Sequence, residues 1–79
     1  MNETVERVVK KAVMDTAKLQ GEAKRSMSLH DDLGLDVIDM AYLLLFLEEE
    51  LGVDIVVPDD VETVGDLIET VQRCAGRVG

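Results

Sequence analysis

Few residues in this chain are of a type that does chemistry, and their spacing decides what they could do. His30 is the only histidine and has no serine or cysteine at the spacing a general base needs to activate a nucleophile. An enzyme active site is therefore not expected. Asp31, Asp32, Asp59 and Asp60 are oxygen donors suited to a divalent cation, but the alternating spacing of a calcium loop is absent and solvated surface acids are the expectation. The single cysteine, Cys74, cannot close a disulfide within the chain and is read as a packing or surface residue. What remains is Asp36-Val37-Ile38-Asp39, two acids enclosing two β-branched apolar residues. That arrangement suits a helix start, because the Asp36 carboxylate can accept the free N–H groups of the first turn while Asp39 adds favourable charge at the positive end of the helix dipole.

The elements that would position this segment follow from periodicity. Val5, Val8, Val9, Ala12 and Val13 recur at helical spacing behind Asn2, which predicts an amphipathic helix over about 3–19, broken by Gly21. Residues 22–28 are polar and basic without a period and read as surface loop, with Ser28 and Asp31 capping a short turn. A second helix is predicted over about 36–51, stopped by Gly52. It is apolar almost all round from Val37 to Leu47, too short to span a bilayer, and so is either a buried central helix or one with an apolar outer face. Val53 to Val57 is β-branched but has no partner strand, so it reads as an extended linker ending at Pro58, with one turn near 59–61. Thr63-Val64-Gly65-Asp66 has the form of a capping box and opens a last helix over about 64–75. The fold class is therefore all-α, a three- or four-helix up-and-down bundle with a very short third helix, in a single domain spanning 1–79.

Composition bounds the rest. A chain of 79 residues with 47% hydrophobic and only 3% aromatic residues must build a small core from Val, Leu, Ile, Ala and Met. Its net charge of −9 repels nucleic-acid phosphates and anionic lipid headgroups, so neither is an expected partner, whereas basic protein patches are. The first residues alternate charge with single valines and show neither a signal peptide nor a membrane anchor, which makes a cytoplasmic location the expectation.

Several segments in fixed order carry a resemblance. Asp32-Leu33-Gly34-Leu35-Asp36-Val37-Ile38-Asp39, then Leu47-Glu48-Glu49-Glu50-Leu51-Gly52-Val53, then Val57-Pro58-Asp59-Asp60, then Thr63-Val64-Gly65-Asp66-Leu67 together resemble the acyl carrier protein family over about residues 28–72. The resemblance implies a four-helix bundle with a short third helix that shuttles acyl chains as thioesters on a phosphopantetheine arm attached to serine. The segment between Pro58 and Thr63 is several residues shorter than is usual in that family. The family's Asp-Ser-Leu reads Asp36-Val37-Ile38 here. An isopropyl group has no oxygen to form the phosphodiester, so no phosphopantetheine is expected at Val37. Ser28 and Tyr42, the nearest hydroxyls in sequence, lie upstream in the loop and about one and a half turns along the helix.

In the resembled family the outer face of this helix docks on basic patches of partner enzymes. The resemblance thus marks Asp36, Asp39, Glu48 and Glu49 as partner-binding acids, beside Val37 itself. At 100° per residue, Leu43, Leu47 and Leu51 face the core, while Ile38, Tyr42, Leu45 and Glu49 project outward. Tyr42 stands where the family commonly carries an acid and makes Ile38, Tyr42 and Leu45 an apolar line of the kind that marks an interface. Two functions follow. One is a non-catalytic binding or scaffold module for fatty-acid or polyketide-type acyl-transfer enzymes. The other is a true acyl carrier in which Val37 is an engineered block or the arm is attached elsewhere. Self-association through the second helix is compatible with either.

Overall fold

The computed structural model describes residues 2–18 and 21–76. Three helices follow in order, α1 (Asn2–Ala17), α2 (Val37–Leu51) and α3 (Val64–Gly76). Among the described residues β-structure is limited to one antiparallel bridge between Ser28 and Thr63, so the architecture is the expected all-α bundle. Leu19, the expected end of the first helix, lies outside the described residues. The helix itself stops at Ala17, and Lys18 enters the left-handed region with φ 55°. That conformation is unusual for a residue with a side chain and ends the helix without the help of Gly21. Between α2 and α3 the chain reverses at Asp59–Asp60, closed by the Val61 N–H on the Pro58 carbonyl at 3.3 Å, and forms no helix there.

The core shows why α2 can afford an apolar exterior. α1 packs against both other helices through Val9, Ala12 and Val13, and α3 contributes Val64, Leu67, Ile68 and Val71. α2 contributes only Leu43 and Leu47 as fully buried residues, a stripe one side chain wide. Of the two readings open for the second helix, the structure selects the apolar outer face: α1, not α2, is the helix shared by the other two.

Loops complete the core and fix its ends. Ala23, Leu29, Leu35 and Ile55 are buried although none is helical. The Leu29 N–H donates to the Glu62 carbonyl at 2.9 Å, the Val64 N–H to Met27 at 3.0 Å and the Gly65 N–H to Arg25 at 2.9 Å, so the α1–α2 loop is zipped to the start of α3. Gly65 permits this approach, since a Cβ there would lie 3.2 Å from the Arg25 carbonyl oxygen. Arg25 also pairs with Glu6 of α1 at 2.9 Å, and Glu6 with Lys10 at 3.2 Å, which ties the loop to the first helix. α3 opens with the expected capping box: the Asp66 N–H donates to the Thr63 hydroxyl at 3.1 Å, and the Thr63 N–H to the Asp66 carboxylate at 3.2 Å. Backbone N–H donors from Glu62 and then Thr63 hold the Asp66 carboxyl below its ordinary value of 3.8.

Candidate functional site

The approach to α2 is braced before the helix begins. Leu35 is buried, its N–H donates to the Leu29 carbonyl at 2.9 Å, and its own carbonyl lies 2.6 Å from Nδ1 of His30. A carbonyl only accepts, so Nδ1 of His30 carries the proton. Gly34 turns the chain at φ 65° and donates its N–H to the His30 carbonyl at 3.1 Å. Asp36 then adopts extended backbone and caps α2 in a full box: its carboxylate accepts the Asp39 N–H at 2.8 Å, and the Asp39 carboxylate accepts the Asp36 N–H at 3.2 Å. Gly52 closes the other end at φ 67°, with its N–H on the Glu48 carbonyl at 2.8 Å.

Val37 is the first residue of this capped helix, and 81% of it is exposed. A side chain here leaves the protein at the positive end of the helix, the position at which a hydroxyl is most accessible to a modifying enzyme and a phosphate charge is most favoured. The side chain present offers neither. The residues therefore do not fit a covalently attached phosphopantetheine at this point. Ser28 is half-buried, and its hydroxyl oxygen accepts the Asp31 N–H at 3.0 Å. Tyr42 is exposed but lies farther along the helix.

Along the outer face the structure gathers Val37, Ile38, Tyr42 and Leu45, the last three exposed by 65%, 68% and 54%. With Ala41 they line one shallow depression that is almost wholly apolar. Glu49 is exposed one turn beyond Leu45. The other acids assigned to docking already hold the fold: Asp36 and Asp39 cap the helix, and the half-buried Glu48 carboxylate accepts the Ile55 N–H at 3.0 Å, pinning the linker after α2. Sequence reasoning passed over Ala41, although its spacing of three from Ile38 and four from Leu45 places it on the same face. It also passed over the charge segregation. No lysine or arginine occurs from Ser26 to Gln72, so α2 and both segments flanking it carry acids alone.

No protein-family model matches the chain. Known proteins similar to it include an acyl carrier protein of Sinorhizobium fredii and the acyl carrier protein AcpP of Rhizobium meliloti. Each is 38% identical over 78 residues, covering 92% of this chain and 96% of the relative. With a helical bundle, a capped second helix and likeness over nearly its whole length, the chain belongs to the acyl carrier protein family.

Proposed function

We propose that this chain is an acyl carrier protein homologue without the phosphopantetheine serine, serving as a non-catalytic binding or scaffold module for fatty-acid or polyketide-type acyl-transfer enzymes. The observation that carries the reading is Val37, exposed at the first position of α2 where the family's Asp-Ser-Leu pattern puts its serine. Around it the helix start is capped and braced. The cap, the brace from His30 and the buried Leu35 present residue 37 to solvent. The Val37 side chain has no oxygen, and a phosphodiester cannot form without one. The partners of such a module are enzymes with basic surface patches, since α2 carries acids and no base. No helix among the described residues is long and apolar enough to cross a membrane, and a cytoplasmic setting goes with this role.

Incubation with coenzyme A and a phosphopantetheinyl transferase of broad specificity tests the proposal, with Val37→Ser as the comparison. The parent should stay unmodified while the variant is loaded. Modification of the parent would favour the other reading, a true carrier with its arm at another hydroxyl.

A further inference from the structure

The cations of α1 and the loop after it fall into two groups. Lys10 and Arg25 are engaged within the fold, Lys10 with Glu6 at 3.2 Å and Glu22 at 3.8 Å, Arg25 with Glu6 at 2.9 Å. Arg7, Lys11 and Lys18 are exposed and make no ion pair among the described residues. The exposed side chains described on α1 are those of Thr4, Arg7, Lys11 and Asp15, one row at helical spacing on the side away from the buried Val9, Ala12 and Val13. Lys18 stands just past the last turn, so Arg7 to Lys18 spans about 16 Å of helix axis. Asp15, the acid within the row, pairs with none of the three. We infer that this row is a docking surface separate from α2, and that its occupant is an acidic helix of a partner protein laid along α1. The row lies on a different helix from residue 37, so the inference stands whether or not the chain is loaded.

Charge and the narrowness of the row select that occupant. The first 25 residues hold six of the eight cations against four acids, whereas residues 26–72 hold thirteen acids and no lysine or arginine. The basic row is thus one helix wide on an otherwise acidic molecule. Nucleic acids and anionic bilayers present phosphate over a wider area, so the acidic remainder would meet phosphate too. The row also lacks an aromatic ring on which a base could stack and a large exposed apolar side chain that a bilayer could take up, since Tyr42 and Phe46 both lie on α2. A second copy of this chain would bring one net charge of −9 against another. An acidic helix covers the row alone, and its carboxylates meet Arg7, Lys11 and Lys18 with opposite sign.

The test uses the full chain and two labelled helical peptides, one with glutamates at i, i+4, i+7 and i+11 on one face and the other with glutamines at those places. Fluorescence anisotropy at about 0.05 M NaCl should show the glutamate peptide binding about tenfold tighter, a preference lost at about 0.5 M NaCl. Lys11→Gln should weaken the glutamate peptide about threefold, and Arg7→Gln combined with Lys11→Gln about tenfold. Arg73→Gln removes the same charge from α3, where Arg73 lines a separate cleft with Pro58, Asp60 and Glu69, and should leave binding unchanged. All three positions are exposed, and circular dichroism verifies that each variant is folded. Four results would each overturn the inference. They are equal binding of the two peptides, equal loss from Lys11→Gln and Arg73→Gln, tighter binding of a short DNA duplex or of anionic phospholipid vesicles than of the glutamate peptide, and sedimentation of the parent as a dimer that Lys11→Gln dissociates. No arm is attached in this assay, so it can fail while the loading result stands, and the loading result can fail while α1 binds.

Discussion

At residue 37 the chain presents a valine to solvent on a helix start that is capped and braced. Its meaning comes from place rather than from contacts, since an exposed β-branched residue on a first turn is unremarkable on its own. Asp66 is a residue of the opposite kind, one whose neighbours give it a titration. Its carboxyl is held below 3.8 by the Glu62 and Thr63 N–H groups, whereas in the unfolded chain it returns to the ordinary value. A depressed folded value means that the Asp66 contribution to stability is complete above the unfolded value and is lost as pH falls through the folded one. Urea unfolding should therefore show the parent losing its stability advantage over Asp66→Asn as pH falls from about 5 through the lowered folded value. An advantage that did not shrink over that window would mean the cap does not depend on the charge. Positions such as these were legible because their partners lie within four residues in sequence: Asp36 with Asp39, and Thr63 with Asp66. Glu48 was not, because its role depends on where the linker places the Ile55 N–H.

α2 shows how an element can be locally well specified and still poorly buried. Its cap, its left-handed stop at Gly52 and its outward and inward faces all follow from local pattern, and the structure has each of them. Removing the cap by Asp36→Ala should lower stability by about 1 kcal/mol, measured by chemical denaturation. Leu47→Ala, which empties a fully buried position on the narrow inner stripe, should cost about 2–5 kcal/mol in the same assay. Equal effects of the two would mean that α2 is held more by its ends than by its core contacts. What periodicity did not reveal is how the elements are joined. The bridge between Ser28 and Thr63 links residues far apart in sequence, and neither segment has a strand pattern. The end of α1 likewise falls at Lys18, a residue whose left-handed backbone no residue-type preference announces. That α1 rather than the more apolar α2 is shared by the other helices is a property of the packed bundle, which hydrophobicity counted along one helix cannot supply.

Over the whole molecule the charges are sorted. Every lysine and arginine lies in the first 25 residues or from Arg73 onward, and the intervening segment, which includes all of α2, carries acids without a compensating cation. Self-repulsion of this kind opposes the compact state and is relieved by screening, so the thermal midpoint should rise as NaCl increases from about 0.02 M to about 0.5 M. A fall would show that ion pairs such as Arg25 with Glu6 outweigh the repulsion. On the proposed reading, the same acidic middle makes a basic partner surface the counterpart of a bundle whose residue 37 has no hydroxyl. Intact-mass spectrometry after incubation with coenzyme A and a broad-specificity phosphopantetheinyl transferase tests that central claim most directly. No change on the parent, with a gain of about 340 Da on Val37→Ser, is the result this account predicts. The same gain on the parent would contradict it, placing the arm on another hydroxyl and making the chain a working carrier.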